Sequence, residues 1–227
     1  SARPNRLAVY NYAHLPHLFR AQRMINSDDV PSPETKLALM EMTINKLIDS
    51  GYVYIGMDHF ALPDDELTIA QREGGLQRNF QGYSTRRECD LVGLGVSSIG
   101  KVGDCYAQNI KDIRTWQAAV ADGELPIWRG VSLNTEDRLR RRVIESIMCH
   151  GEVNFDKFED MFAIDFHEHF APELDSLEQM GEDGLLNMGG DSFNVTAAGR
   201  LLVRNIAMVF DEYLKAPESA PRFSRVI

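Results

Sequence analysis

Two hydrophobic patterns alternate in the first part of the chain and predict strands separated by helices. Residues 7–12 and 52–57 are short apolar runs, which are typical of buried strands. Between them, Ser32 and Pro33 supply a helix cap and a first helical residue, apolar residues recur at helical spacing, and Gly51 ends the pattern. Strand, helix and strand in this order predict a right-handed βαβ unit with parallel strands.

The second part of the chain has a mainly helical pattern. Helix signals begin at Thr135, and two further helices are expected, one through residues 158–166 and one through residues 174–180. Residues 185–195 predict a β-hairpin, and residues 197–214 predict a final helix. Residues 124–134 are interpreted as a linker, and helices with a hairpin wing indicate a winged-helix-like domain. The predicted domains are residues 1–133 and residues 134–227.

The charge is unevenly distributed, and this argues against one class of partner. The formal net charge of −10 divides into −2 for residues 1–133 and −8 for residues 134–227. Phosphate binding depends on clustered Lys and Arg, so nucleic acid is not an expected partner. The chain contains no run of 18 apolar residues and no signal-peptide pattern, so a cytoplasmic protein is expected.

Local motifs for metal or nucleophilic chemistry are absent from the sequence. The three cysteines, Cys89, Cys105 and Cys149, are far apart and match no metal-ligand or iron-sulfur spacing. His14 and His17 occur near a predicted strand end, but no HxxxH spacing occurs, and the one HxH sequence, His167-Glu168-His169, lies in a helical pattern that points its histidines to different sides. No metal ligand and no catalytic residue is therefore assigned within this chain.

Polar and aromatic residues concentrate between residues 54 and 84 without forming an amphipathic repeat. The blocks MDHFA at 57–61 and RNFQGY at 78–83 stand out, with NYAH at 11–14, GDCYAQN at 103–109 and FSRVI at 223–227. These blocks closely resemble the oxygen-independent coproporphyrinogen III oxidase family, over about residues 6 to 227. The alternative explanation of residues 54–84 is structural: a strand, a solvated loop and a second strand, with polar side chains that cap backbone groups.

The resemblance implies a fold and a reaction. It implies an α/β fold: the C-terminal part of an open partial (β/α) barrel with its sheet extension, followed by a mainly helical, winged-helix-like domain. In that family a CxxxCxxC loop holds a [4Fe-4S] cluster, which cleaves S-adenosyl-L-methionine (SAM) to start the oxidative decarboxylation of two propionates to vinyl groups. No such loop occurs in this sequence, so the chain is expected to be a C-terminal fragment that is inactive alone.

The resemblance also implies cofactor-binding residues. The NYAH block implies that Ala13 contacts the second of two SAM molecules, with Tyr10 and Tyr12 close by. Phe80 and Gln81 are implied at the adenosyl ligands, and Ile99 is implied at the cluster-bound SAM. Rings and branched side chains can enclose adenine, and an amide can bind its edge, so the assignment is chemically reasonable.

Substrate-binding residues are predicted from chemistry rather than from a motif. Coproporphyrinogen III carries four propionates, and arginine binds carboxylates in a bidentate manner. The candidates for these contacts are Arg78, Arg86, Arg87 and Arg129. An unidentified electron donor is a further expected partner, and a monomer is expected.

Two other functions compete with this interpretation. A haem chaperone-like branch of the same superfamily has a similar architecture, but it carries an HNxxYW-type block in place of RNFQGY and lacks the second SAM site. A winged-helix interaction module is the other alternative, with the basic run at residues 138–142 as its docking patch. A solvated helix face with paired arginines is the simpler explanation of that run.

Overall fold

The structure is a computed structural model that describes residues 3–86 and 89–214. Arg87 and the FSRVI block lie outside the described residues. Among the described residues, no helix combines the length and the apolar character that a membrane crossing requires.

The first sheet differs from the predicted βαβ unit. Strands β1 (Arg6–Ala8), β2 (Val53–Gly56) and β3 (His59–Ala61) form a sheet in the order β1-β3-β2, with antiparallel pairing throughout. Strands β1 and β2 both run antiparallel to β3 and are therefore parallel to each other, as predicted, but they are not neighbours, because the chain reverses at Met57, whose φ is 52°, and β3 enters between them. Phe60, at the centre of the sheet, is 2% exposed. The apolar preference of this three-residue strand therefore decides the topology.

The local helix signals were confirmed. Helix α1 (Pro33–Asp49) begins after Ser32, whose side chain accepts a hydrogen bond from the backbone of Thr35. Helix α2 (Glu66–Glu73) is capped by Asp65 in the same way. It is followed by a hairpin of β4 (Gln77–Asn79) and β5 (Gly82–Ser84).

A third sheet replaces the predicted linker. It consists of β6 (Ile99–Val102), β7 (Cys105–Asn109) and β8 (Ile127–Ser132), with β7 in the centre and helix α3 (Ile113–Ala121) between β7 and β8. The linker prediction for residues 124–134 was wrong, because Gly130 lets β8 lie close to β7: a Cβ atom there would be 2.8 Å from the Tyr106 carbonyl oxygen. Gly100 similarly packs against the Leu91 backbone, where a Cβ atom would lie 2.8 Å from the Leu91 carbonyl oxygen, so both glycines allow close approach of neighbouring backbone.

The second part has the arrangement of a winged helix. Its elements are α4 (Thr135–His150), β9 (Glu152–Asn154), α5 (Phe155–Phe162), α6 (Phe166–His169), α7 (Ala171–Glu182), β10 (Leu186–Met188), β11 (Ser192–Val195) and α8 (Val203–Met208). Strand β11 pairs with both β9 and β10, so the predicted hairpin is confirmed. The helix expected through residues 158–166 is broken at Ala163, which is left-handed and ends α5.

The predicted last helix is also interrupted. The chain forms a 3₁₀ turn at Gly199–Leu202, then α8, then a second 3₁₀ turn at Glu212–Leu214. Gly199 packs so closely against the Leu185 carbonyl that a side chain would overlap it. This backbone contact competes with a regular helix at the start of the segment.

Two hydrophobic clusters stabilise the fold, and α4 contributes to both. The larger cluster contains five fully buried rings: Phe155, Phe166, Phe170, Phe193 and Phe210. The smaller cluster includes Ile55, Leu76 and Tyr83, and Cys149 joins it from α4. Helix α4, which begins just after residue 133, thus packs with residues from before and after that position. A domain boundary at residue 133 stays a prediction.

Candidate functional site

The loop after β1 forms one wall of an open cavity of about 300 Å³, which we call the tyrosine cavity. Its other walls come from α1, the turn between β2 and β3, and the start of α8. Aromatic, small and charged side chains line it: Tyr10, Tyr12, Ala13, Lys36, Asp58 and Arg204. Tyr10 is 78% exposed and Tyr12 is 49% exposed. Exposed rings beside a cavity offer a stacking surface to a planar ligand.

Asp58 is held at the edge of the tyrosine cavity by the β2–β3 turn. Met57 is left-handed, and the Asp58 carbonyl accepts a 2.8 Å hydrogen bond from the Val9 N–H. His59 Nδ1 lies 2.8 Å from Asp58 Oδ1. Burial opposes ionisation of Asp58, but the hydrogen bond and charge of His59 and the charge of Arg78 outweigh it, so its pKa is lowered. The tyrosine cavity therefore carries a carboxylate.

A second open cavity, of about 680 Å³, lies between the β4–β5 hairpin, β6 and α4, and we call it the arginine cavity. Its basic side chains are Arg78, Arg86, Lys101 and Arg141. Phe80 and Gln81, at the hairpin tip, line the same cavity, and the Phe80 ring meets the Tyr106 ring edge-on at 5.3 Å. Asn79 Oδ1 accepts a 2.8 Å hydrogen bond from the Gln81 N–H, which fixes the tip.

Residues 57–59 connect the tyrosine cavity, which Met57 and Asp58 line, to the β4–β5 hairpin beside the arginine cavity, and we call them the shared turn. The His59 ring, bonded to Asp58, also meets the Tyr83 ring edge-on at 5.3 Å. A Cβ atom on Gly82 would lie 2.9 Å from His59 Nε2, and the φ of Gly82 is 129°, so glycine is required there. Gly82 directly follows the hairpin tip of the arginine cavity.

Tyr83 fixes the hairpin to α4. Its side chain is 8% exposed, and its hydroxyl donates a 3.0 Å hydrogen bond to the Met148 carbonyl. This carbonyl lies in the last turn of α4, where helix carbonyls lack intrahelical partners. Burial raises the pKa of the Tyr83 phenol. The hairpin that carries Phe80 and Gln81 is thus tied to the helix that carries Arg141.

The structure distributes the predicted cofactor residues over two cavities. Tyr10, Tyr12 and Ala13 come together in the tyrosine cavity, and Phe80 and Gln81 in the arginine cavity. Ile99 is half-buried on β6, opposite Gln108, and it lines neither cavity. The six predicted cofactor residues therefore do not line one common cavity.

The predicted substrate arginines are also separated. Arg78 and Arg86 line the arginine cavity. Arg129 lies on β8, where it donates a 2.9 Å hydrogen bond to Gln108 and its guanidinium lies 4.6 Å from the centre of the Trp128 ring. Arg129 lines neither cavity, and Arg87 lies outside the described residues.

Sequence reasoning missed several charged residues of the two cavities. Lys36 and Arg204 line the tyrosine cavity, and Lys101 lines the arginine cavity. Arg141 belongs to the basic run that was assigned to a docking patch or a solvated face. One signal was available: Arg141, Ile144, Glu145 and Met148 follow helical spacing, and all four line the arginine cavity.

No metal site occurs among the described residues, where no three His, Cys, Asp or Glu side chains are grouped to hold an ion. Cys89 and Cys105 are exposed, and Cys149 is buried. His14, in the loop beside the tyrosine cavity, has a buried Nδ1 without a hydrogen-bond partner in the described part of the chain. Such atoms are uncommon in folded proteins, and ligands often satisfy them.

Comparison with known proteins identifies the family. The family model described as the HemN C-terminal domain matches residues 133–202. The oxygen-independent coproporphyrinogen III oxidase of Thermostichus vulcanus is 45% identical over 225 residues, which cover 99% of this chain and 69% of the relative. This chain belongs to the oxygen-independent coproporphyrinogen III oxidase family. The resemblance predicted from the sequence blocks is thereby confirmed.

Other oxygen-independent coproporphyrinogen III oxidases match over the same extent of this chain. Those of Pseudomonas aeruginosa and Escherichia coli are 52% and 48% identical, each over 99% of this chain. The chain covers 48% and 49% of these proteins, so it spans about half the length of the curated relatives that it matches most strongly. The matched part is their C-terminal half, as predicted.

A solved structure supports the fold. The coproporphyrinogen III oxidase HemN from Escherichia coli, described as a radical SAM enzyme, is 48% identical and superimposes with a TM-score of 0.89. The match covers 93% of this chain and 49% of that chain. The predicted α/β fold class is confirmed by this likeness.

Proposed function

We propose that this chain forms the C-terminal half of an oxygen-independent coproporphyrinogen III oxidase, which converts two propionates of coproporphyrinogen III to vinyl groups. Family membership supports this proposal, together with one structural observation. The shared turn, from the MDHFA block, lines the cavity of the NYAH block through Met57 and Asp58, and its His59 packs against the hairpin of the RNFQGY block, whose tip lines the second cavity.

The tyrosine cavity fits an adenosyl cofactor. SAM carries a planar adenine, a ribose diol, an ammonium group and a carboxylate. Tyr10 and Tyr12 provide exposed rings for stacking, and Asp58 provides a carboxylate for the ammonium group or the ribose hydroxyls. Lys36 and Arg204 make no ion pair with the described residues, and they supply positive charge for the SAM carboxylate.

Ala13 and Ile99 complete this assignment as proposals. Ala13 lines the tyrosine cavity, where its small side chain leaves room for a ligand close to the backbone. Ile99 would contact the cluster-bound SAM from β6, outside both cavities, whereas Ala13 would contact the second SAM. When bound, SAM with a [4Fe-4S] cluster supplies the radical chemistry that gives this enzyme class its name. The residues of this chain bind and orient the ligands.

The arginine cavity fits the substrate. It carries Arg78 and Arg86, whose planar guanidinium groups match the geometry of propionate carboxylates. Phe80 and Gln81 stand at its rim, next to the shared turn, and would face both substrate and adenosyl ligand. Arg87 stays a candidate from the sequence alone, and Arg129 is the weakest one, because its side chain is already bonded on β8.

Other features of the whole protein stay proposals. Two SAM molecules per enzyme, an unidentified electron donor, a monomeric state and a cytoplasmic location are expected from the family resemblance. Residues 1–133 would complete the barrel, and residues 134–227 would form the helical domain. The chain alone is expected to be inactive, because the cluster ligands of the family lie in a CxxxCxxC loop that this sequence does not contain.

The proposal is tested with the full-length protein, its cluster reconstituted under anaerobic conditions. Conversion of coproporphyrinogen III to protoporphyrinogen IX is followed by chromatography, and 5′-deoxyadenosine release reports SAM cleavage. We expect both products from the wild type and a large loss of both with Phe80→Ala. Leu94→Ala, at an exposed position that lines neither cavity, is the control and should retain activity. A wild type that cleaves SAM but never decarboxylates the substrate would refute the function.

A further inference from the structure

Helix α4 carries four arginines within five residues, and three of them are already ion-paired. Arg138 pairs with Asp104 at 2.8 Å, Arg140 with the buried Glu173 at 2.7 Å, and Arg142 with Glu145 at 3.2 Å. These three arginines are therefore held by acidic groups of the fold itself. The basic run is neither a uniform docking patch nor a uniformly solvated face.

Arg141 is the exception in this run. Among the described residues it makes no ion pair, and it lines the arginine cavity. Its guanidinium carbon lies 5.5 Å from the centre of the Tyr106 ring, which also meets Phe80 edge-on at 5.3 Å. A guanidinium stacked on a ring keeps its N–H edge available in the plane. Arg141 is thus oriented and half-buried but has no carboxylate partner from the described protein.

The arginine cavity has an excess of positive charge. Two acidic residues line it besides the four basic ones, and both already have partners. Glu145 pairs with Arg142, and Asp90 Oδ1 accepts a 2.8 Å hydrogen bond from the Gly103 N–H. A basic cavity is notable in a chain with a net charge of −10. Its ligand must therefore bring negative charge.

We propose that Arg141 binds a propionate carboxylate of the substrate, with Lys101 beside it as a second cation and Tyr106 as the platform that holds the guanidinium plane. This inference rests on the proposed function and adds a substrate contact from the helical domain. Arg78 and Arg86, on the opposite side of the same cavity, would take other carboxylates of the same molecule. A tetrapyrrole with carboxylates around its rim can engage cations from several walls at once.

The test compares substitutions in the full-length enzyme. Arg141→Met removes the charged guanidinium and keeps an unbranched side chain about as long as the arginine stem, and Arg141→Lys keeps the charge but loses the bidentate fork. The matched control is Arg138→Met, one turn earlier on α4, whose exposed partner Asp104 lies outside the arginine cavity. Arg141→Met should raise KM for coproporphyrinogen III by about tenfold to about a hundredfold, since a hydrogen-bonded charge is lost. KM for SAM should not change.

A binding experiment covers the case in which a variant folds poorly. Fluorescence titration with coproporphyrin III and with its tetramethyl ester measures how strongly the protein prefers free carboxylates. Arg141→Met should reduce this preference, Arg141→Lys should reduce it less, and Arg138→Met should leave it unchanged. If Arg141→Met and Arg138→Met give the same KM and the same preference in an otherwise active enzyme, the assignment of Arg141 is wrong while the proposed function stands. An inactive wild type would instead remove the proposed function.

Discussion

The hydrogen bond from Tyr83 to α4 gives the sharpest stability prediction. Tyr83→Phe removes one hydroxyl and keeps the ring, so the packing of the smaller core is retained. The Met148 carbonyl would lose the 3.0 Å bond that it accepts from this hydroxyl. Among the described residues no backbone donor replaces it, because Gly151 at the helix end bonds to Ser146 and Ile147.

The size of the effect follows from burial. A typical net hydrogen bond contributes about 1 kcal/mol, and leaving a buried carbonyl unsatisfied costs roughly 1–3 kcal/mol. Tyr83 is 8% exposed, so water has little access to the vacated position. We therefore expect Tyr83→Phe to lower the free energy of unfolding by about 2 kcal/mol, which lowers Tm by about 4–8 °C for a chain of this length.

Urea denaturation followed by circular dichroism measures this change. Tyr213→Phe is the matched control, because it removes the same group from a 2.8 Å hydrogen bond to Asp137 on a side chain that is 66% exposed. The control should change the free energy of unfolding by less than about 0.5 kcal/mol. If the two variants lose the same amount, the Tyr83 hydroxyl does not stabilise the contact between hairpin and helix.

Three further predictions concern the same framework. Gly56→Ala should lower the free energy of unfolding by at least about 2 kcal/mol, because φ at Gly56 is 153° and a methyl group would overlap the Tyr83 hydroxyl. The double variant with Tyr83→Phe should lose less than the sum of the two single losses. Strictly additive losses would contradict this packing. Asp58 has a lowered pKa, so its ionised form stabilises the protein above about pH 4, and that contribution is lost as the pH falls further. In a plot of the urea midpoint against pH, Asp58→Asn should therefore flatten the acid limb. An unchanged acid limb would exclude this carboxyl group as its cause. Arg140→Met removes the guanidinium that neutralises the buried Glu173. In urea denaturation it should lower the free energy of unfolding by about 3–5 kcal/mol. A loss below about 1 kcal/mol would show that the pair contributes no more than an ordinary surface ion pair.

Local signals in the sequence predicted the features that local chemistry determines. The start of α1 at Ser32 and Pro33 and the hairpin of β10 and β11 were confirmed, because caps and turns depend on a few neighbouring residues. Strand pairing depends instead on distant partners. Strand β8 has no buried residue and therefore no alternating pattern, and its place in the sheet depends on the glycine at 130, which lets β7 approach.

The candidate site divides in the same way. Contiguous blocks such as NYAH and RNFQGY identified the family, because each block keeps several functional residues together in the sequence. Arg141 and Arg204 lie 58 and 121 residues beyond the end of RNFQGY and reach the cavities only through packing of α4 and α8. The blocks did not predict that their residues line two separate cavities, because similarity of residues carries no information about the distance between them.

The shared turn offers a packing route by which a ligand in one cavity would change the affinity of the other cavity. A ligand that displaced Asp58 would press on His59, whose ring rests against Gly82 beneath the hairpin tip. Such coupling is reciprocal: the factor by which the first ligand changes the affinity for the second equals the factor by which the second changes the affinity for the first. The order in which the ligands are added would then change the rates of assembly but not the stability of the ternary complex. A substitution of His59 that removed this contact would leave two sites whose affinities do not depend on each other.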